Sequence, residues 1–310
     1  MKKWGEKPYY SLDYMLKSRF GGKLYKVALD AGFTCPNRDG TIGFGGCTFC
    51  GGGSGVFAGD RRLPISEQID RGIEGLTKFH ANGYIAYFQA YTNTYAPIDA
   101  LTRIYEPAFA HPKIHVVSIA TRPDCVDDQV ADLLADFSKR KPVWVELGLQ
   151  TMHERTAERI RRGYPLSCFE DAVKRLRQRG IEVIVHVILG LPGESEQNVL
   201  QTIAYLNGID IQGIKLQLLH VIDKTDLAGQ YLAGEFRVLE MDEYVRLVCQ
   251  CIGHLSEKTV IHRLTGDGPS DELIAPLWSR KKLSVLNAIH HELKEQGISQ
   301  GCLEGDTYGF

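Results

Sequence analysis

The chain alternates short apolar, β-branched runs with segments whose apolar residues recur at helical spacing, and this alternation limits the possible folds most. The apolar runs lie at residues 25–29, 84–90, 115–120, 143–149, 183–189, 214–219 and 260–264. The helical segments between them lie at 65–81, 98–109, 126–139, 167–178 and 196–206. Several runs are almost continuously apolar, as in parallel strands with both faces covered. The order predicts repeated βαβ units.

The spacing of the predicted strands, roughly 30 to 40 residues, favours a barrel. About six strand–helix units precede residue 220, where the pattern loosens. We therefore predict an α/β fold, a partial (β/α)6 TIM-like barrel, with a doubly wound open sheet as the alternative. The predicted core covers 24–222 and follows a basic segment at 1–23. Residues 223–310 would form a small C-terminal α/β extension, with an extended connection at 223–237 and helices near 241–255 and 283–295.

Composition argues against several classes of protein. No stretch approaches the ~20 apolar residues of a membrane span, and the amino terminus lacks the apolar segment of a secretory signal. We therefore expect a cytoplasmic protein without membrane contact. The net charge of −2 excludes a global positive field, but residues 1–26 carry seven Lys or Arg against two acids, a local excess of five. An RNA-binding patch and a solvated basic tail are both open interpretations of that segment.

Three of the eight cysteines share one loop after the first predicted strand. Eleven residues separate Cys35 from Cys47, and two separate Cys47 from Cys50. Because the cytoplasm keeps thiols reduced, metal binding is a better interpretation of this spacing than disulfides. The residues alone permit a Cys3His zinc site or an iron–sulfur cluster with one open iron. The other cysteines are expected to be buried or incidental: Cys125, Cys168, Cys249, Cys251 and Cys302.

The cysteine loop resembles the radical S-adenosylmethionine (SAM) signature in an expanded form, with an aromatic residue, Phe49, before the last cysteine. Four later motifs resemble the subgroup that includes the Elongator catalytic subunit and oxygen-independent coproporphyrinogen oxidase. These motifs are Thr121-Arg-Pro-Asp124, Glu146-Leu-Gly-Leu-Gln150, Arg161-Arg-Gly163 and His186-Val-Ile-Leu-Gly190-Leu-Pro-Gly193-Glu194. A C-terminal segment, residues 261–278, resembles the shorter YhcC/YtqA family. The resemblance covers roughly residues 4–300 and leaves little room for the zinc alternative.

The resemblance implies a partial barrel of radical SAM type, two cofactors and a reaction. In that superfamily the cysteines matching Cys35, Cys47 and Cys50 bind a [4Fe–4S] cluster, and SAM chelates the fourth iron. The reduced cluster cleaves SAM to methionine and a 5′-deoxyadenosyl radical. The electron would come from a reducing partner such as flavodoxin or ferredoxin.

Polar residues at the predicted strand ends are candidates for binding SAM. Arg162 matches an arginine that pairs with the SAM carboxylate in related enzymes, although a solvated charge beside Arg155 and Arg159 is the alternative. Glu146 and Gln150 share one face of the fourth strand, and a buried glutamate needs partners, so a pocket is favoured over the surface. Further candidate cofactor contacts are Phe49, Arg122, Gly190 and Gly193. Lys215, Gln217 and His220 are candidate substrate contacts.

The second predicted strand departs from the superfamily pattern. Many members end this strand with Gly-Gly-Glu, which receives the SAM ammonium, whereas this chain has Gln89-Ala-Tyr-Thr-Asn-Thr94. Oxygen atoms of Gln89, Thr92 and Asn93 are the expected substitutes.

The resemblance implies radical modification of tRNA, at a wobble uridine, as the leading functional hypothesis. The basic N-terminal segment and residues 280–282 would contact phosphates. No acetyltransferase domain is recognised in the 310 residues, so we do not expect acetyl transfer. The alternatives are radical decarboxylation or oxidation of a small metabolite, and a non-catalytic metal-containing protein that binds RNA.

Overall fold

The computed structural model describes residues 4–51, 59–266, 268–269 and 271–305. Its strands are Leu24–Leu29 (β1), Gly83–Phe88 (β2), Ile114–Thr121 (β3), Val143–Gln150 (β4), Glu182–Leu189 (β5), Gly213–Leu218 (β6), Val221–Ile222 (β7), Val260–Arg263 (β8) and Leu273–Ala275 (β9). A seven-stranded parallel sheet in the order β1-β2-β3-β4-β5-β6-β8 forms a half-barrel. The predicted α/β partial barrel is confirmed.

The helices of the described residues mostly connect successive strands and cover the outside of the sheet. They are Leu12–Phe20 (α1), Ile65–Gly75 (α2), Ile98–Ala110 (α3), Asp128–Ser138 (α4), Glu154–Arg159 (α5), Leu166–Gln178 (α6), Glu196–Asn207 (α7), Asp226–Leu232 (α8), Met241–His254 (α9) and Lys282–Glu295 (α10). Their apolar faces and the outward side chains of the strands form the main core. Within the described part of the chain, no helix combines the length and apolar character needed to cross a membrane.

The inner face of the half-barrel is apolar at its amino-terminal end. There Trp144 of β4 and its neighbours on adjacent strands pack against Met15 and Leu16 of α1, which closes this end. Side chains alternate along a strand, so Glu146 also faces inward, one layer closer to the carboxyl ends. The polar residues of the strands are therefore concentrated towards the end where the loops converge.

Two features of the C-terminal region differ from the sequence-based expectation. Strand β8 lies beyond residue 222, yet it pairs in parallel with β6, so the sheet continues past the predicted end of the core. The connection at 223–237 is not wholly extended, because it contains α8. Thr225 caps this helix by accepting a hydrogen bond from the amide of Ala228, and Leu227 is buried. Seven residues are too few for a helical period to stand out in the sequence.

Candidate active site

The cysteine loop lies at the carboxyl end of β1 and is held by its own hydrogen bonds. The amide of Arg38 donates to the carbonyl of Cys35 at 2.8 Å, and the amide of Cys50 donates to the carbonyl of Cys47 at 3.0 Å. The Asn37 side chain donates to the Cys47 sulfur at 3.5 Å. Burial raises the pKa of Cys47 to about 11, with contributions from the charges of Cys50 and Cys35. The charges of Cys35 and Cys50 act on Cys47, so the three predicted ligands lie near one another.

Three cysteine ligands would be used differently by a single metal ion and by a cluster. A zinc site would require every sulfur at about 2.3 Å from the same ion. A [4Fe–4S] cluster instead places each cysteine on a different iron. Three thiolates from one loop fit a cluster that leaves its fourth iron open.

The segment that follows β2 supports the cysteine loop. Ala90 and Tyr91 have φ angles of 68° and 59°, in the left-handed region that glycine adopts without penalty. The amide of Thr92 donates to the carbonyl of Thr34 at 3.1 Å, next to the first cysteine. Ala90 and Tyr91 thus adopt a backbone conformation that favours glycine, the residue common at this place in the superfamily.

Buried oxygen atoms without partners mark where a polar ligand fits. Thr92 Oγ1, Asn93 Oδ1 and Gln150 Oε1 are buried and have no hydrogen-bond partner in the described structure. Each such atom costs about 1–3 kcal/mol unless a ligand or water satisfies it. All three residues were candidate SAM contacts, and they lie beyond β2 and at the end of β4. These residues would hold polar groups of SAM.

Other predicted contacts lie nearby but are largely engaged with protein atoms. Arg122 donates to Asp124 at 2.7 Å and to the Arg162 carbonyl at 2.8 Å. Gly190 and Gly193 have φ angles of 88°, as tight turns after β5 require. Phe49 packs against a buried apolar cluster that includes Leu227 of α8, and Gln89 directly follows β2.

The guanidinium of Arg162 does not lie on a solvated helix face. Only 2% of its side chain is exposed. It donates to the carbonyls of Tyr164, Leu149 and Thr151 and to the Glu154 carboxylate, at 2.7 to 3.3 Å. Pairing with the SAM carboxylate, as expected from the resemblance, would require at least one of these contacts to be replaced.

The substitution Arg162→Lys is therefore expected to lower the free energy of unfolding by about 2–4 kcal/mol, because an ammonium cannot reach four separated acceptors. Denaturant titration measures this loss, and Arg159→Lys, at an exposed position, is the matched control. SAM affinity should fall more in Arg162→Lys than in the control. Unchanged stability would contradict the contribution of these four contacts, and equal SAM affinity in the two variants would contradict a role of Arg162 in binding SAM.

A buried ion cluster lies inside the half-barrel, around Glu146. Its carboxylate accepts hydrogen bonds from Ser118 at 2.8 Å, His186 at 2.7 Å and Lys26 at 3.3 Å, and from Lys215. These donors come from β3, β5, β1 and β6. Glu146 is thus buried inside the half-barrel and not on the surface, and its oxygen atoms bind the protein's own donors rather than standing open to SAM.

The charges in this ion cluster depend on one another. Burial opposes ionisation of Glu146, but Lys215 and Lys26 outweigh it and hold the pKa of Glu146 well below its usual range. Burial, with the charge of Lys215, lowers the pKa of His186 to about 4, so this histidine is neutral near pH 7. The sequence analysis missed Lys26 as a site residue. The sequence feature that could have identified it is a lysine within a mainly apolar strand. Lys215 occupies a similar position in β6.

Two family models match the chain. Residues 35–206 match the model described as "Radical SAM superfamily", and residues 211–295 match "Radical_SAM C-terminal domain". YtqA of Bacillus subtilis (strain 168) is 46% identical over 298 residues, which cover 96% of this chain and 92% of YtqA. YhcC of Escherichia coli (strain K12) is 37% identical over 289 residues, which cover 93% of each chain.

Two more distant similarities are one of sequence and one of structure. The tRNA uridine(34) acetyltransferase of Methanocaldococcus jannaschii is 23% identical over 189 residues, 60% of this chain and 34% of that protein. The structure of an N-terminally truncated Methanocaldococcus infernus Elp3 is similar with a TM-score of 0.68 and 16% identity. It covers 90% of this chain and 65% of that one. The structural similarity supports the fold alone.

Proposed function

Because this chain belongs to the radical SAM superfamily and is an enzyme of that class, we propose that it modifies a tRNA, at a wobble uridine. Enzymes of this class use a [4Fe–4S] cluster and SAM, which supply one-electron radical chemistry when bound, and they need a reductant. We propose flavodoxin or ferredoxin as that reductant. The relative named tRNA uridine(34) acetyltransferase supports the choice of substrate. The cytoplasmic location stays a prediction.

The observation that carries this proposal is a basic groove along the open side of the half-barrel. It has a volume of about 380 Å³ and runs between β1, β8, the N-terminal segment and α10. One described acidic residue, Asp13, lines it, against five cations. The cations are Lys7, Lys23, Lys26, Arg263 and Lys282. A groove with this charge suits phosphates, which account for most of the affinity of proteins for nucleic acids.

The groove combines two basic segments that are far apart in the sequence. The amide of Ile261 in β8 donates to the carbonyl of Tyr10 at 2.7 Å, so the N-terminal segment lies along the edge of the sheet. Lys7 from this segment and Lys282 from α10 consequently line the same groove. Lys2 and Lys3, also predicted to bind RNA, lie outside the described residues.

The groove also reaches the interior of the half-barrel. Lys26 lines the groove and donates to Glu146, which lies in the inward-facing ion cluster. A base inside a stacked helix cannot reach a buried site, so the target base would be in a loop or flipped out of its helix. An anticodon loop meets this requirement.

The triple variant Lys7→Gln, Lys23→Gln, Lys282→Gln is expected to bind tRNA more weakly and with a smaller salt dependence. Each lost phosphate contact should reduce the slope of log K against log salt by about 0.7 to 0.9. Binding is measured at several salt concentrations on anaerobically reconstituted protein. The control carries the same change at three exposed lysines elsewhere, Lys139, Lys174 and Lys294.

The other two hypotheses predict different results. Absence of tRNA binding at low salt, or equal slopes for both triple variants, would reject this RNA site and favour a small metabolite as the substrate. RNA binding without SAM cleavage by the reconstituted protein would favour the non-catalytic alternative. Comparison of modified nucleosides in tRNA from cells with and without the protein tests the wobble position directly.

A further inference from the structure

Arg38 lies beside the cysteine loop in a closely defined position. Its Nη1 donates to the carbonyls of Cys50 and Gly51, at 3.2 and 3.3 Å. Its guanidinium lies 5.2 Å from the centre of the Tyr91 ring. The side chain also crosses Gly46, where an added Cβ atom would come within 2.9 Å of Arg38 Cγ. Backbone, ring and glycine together restrict this cation to one place.

The ring that receives Arg38 belongs to the left-handed turn after β2. Left-handed backbone costs roughly 1–2 kcal/mol at each non-glycine residue, and such strain persists where surrounding contacts enforce it. Here the enforcing contacts include the Thr92–Thr34 hydrogen bond and one between the hydroxyl groups of Thr41 and Tyr95, at 2.8 Å. The strained turn therefore presents Tyr91 to the cysteine loop.

The two arginines nearest the cysteines differ in how their charges are balanced. Arg122 pairs with the Asp124 carboxylate. Arg38 makes its hydrogen bonds to neutral carbonyls, and no described carboxylate lies within ion-pair distance of it. Arg38 consequently contributes an unbalanced positive charge beside Cys50.

We propose that Arg38, held on the Tyr91 ring, is a positioning residue that anchors the Cys50 end of the cysteine loop and raises the reduction potential of the cluster. Reduction adds one electron, supplied by an external donor, so a nearby cation stabilises the reduced form. Cluster potentials depend on net charge and hydrogen bonding around the sulfurs. The inference rests on the assignment of the cluster and is independent of the tRNA substrate.

The test is a redox titration of the anaerobically reconstituted full chain, without SAM, monitored by the electron paramagnetic resonance signal of the reduced cluster. Arg38→Gln keeps much of the side-chain length and removes the charge. We expect about a tenfold lower ratio of reduced to oxidised cluster at a fixed potential, equivalent to about 59 mV for a one-electron couple. Iron content should match the parent. Arg140→Gln, which breaks an outer pair with Glu106, is the control and should not shift the potential.

Two further substitutions separate charge from packing. Tyr91→Phe keeps the ring and should titrate like the parent, whereas Tyr91→Leu removes it and should lower the potential by letting Arg38 move. Arg38→Lys keeps the positive charge and should have a reduction potential close to that of the parent. It can be measured even if Arg38→Gln does not bind iron. An unchanged potential in an iron-replete Arg38→Gln, or in Tyr91→Leu if the former is not obtained, would overturn the proposal. SAM cleavage, assayed separately, would still report the radical SAM assignment.

Discussion

Alanine at any one of Cys35, Cys47 or Cys50 is expected to abolish both stable cluster binding and SAM cleavage. Each thiolate would supply one iron ligand, and the sequence from Cys35 to Cys50 contains no fourth cysteine to replace it. The parent protein, purified anaerobically, should contain about four irons per chain. Iron analysis, visible absorption and methionine release measure the two effects independently.

The matched controls are the single substitutions Cys125→Ala, Cys168→Ala and Cys302→Ala. All three positions are at least partly exposed, so replacing them should leave iron content near that of the parent. Loss of iron in any of these variants would show that the ligand set is wrong. Stoichiometric zinc in a fully active protein would contradict the cluster itself.

Glu146→Ala is expected to lower the free energy of unfolding by about 3–5 kcal/mol, the usual effect of removing one partner from a buried ion pair. The substitution would leave Lys215 buried beside Lys26 without the carboxylate that both contact. Denaturant titration of the parent and the variant measures the difference. The control, Glu182→Ala, breaks an exposed pair with Arg19 and should cost no more than about 1 kcal/mol. Equal losses in the two variants would show that the ion cluster is no more stabilising than a surface pair.

The same cluster predicts the direction of the pH dependence. The pKa of Glu146 is held well below its usual range, and the pKa of His186 is lowered to about 4. The unfolded chain therefore binds protons at higher pH than the folded chain does, so stability rises with pH. The contribution of neutral His186 to the free energy of unfolding is complete above its unfolded pKa of about 6.5. This contribution is lost as the pH falls towards 4. The free energies of unfolding of the parent and of His186→Gln should therefore converge as the pH is lowered. Denaturant titration at several pH values measures both, and parallel curves of free energy against pH would contradict the prediction.

Local patterns in the sequence were sufficient for the order of the strands in the parallel sheet and for the prediction of three metal ligands in one loop. Each strand of the half-barrel coincides with an apolar run, because burial on both faces leaves a continuous apolar signature. The cysteine spacing was informative for a similar reason, since the predicted ligands Cys35, Cys47 and Cys50 belong to one loop. Helix α8 escaped detection because its stability comes from a cap and from burial of Leu227, not from a long period.

The sequence by itself determined the parallel α/β architecture and the three-cysteine loop, because hydrophobic periodicity and ligand spacing are properties of short stretches of chain. Only the tertiary structure decided that Lys26 and Lys215, on strands distant in the sequence, share the carboxylate of Glu146. Only the tertiary structure also decided that Arg162 is buried against carbonyls and that Tyr91 supports Arg38. Strand alternation assigns side chains to two faces, but which face lies inside, and which charges meet there, depends on the register and curvature of the whole sheet.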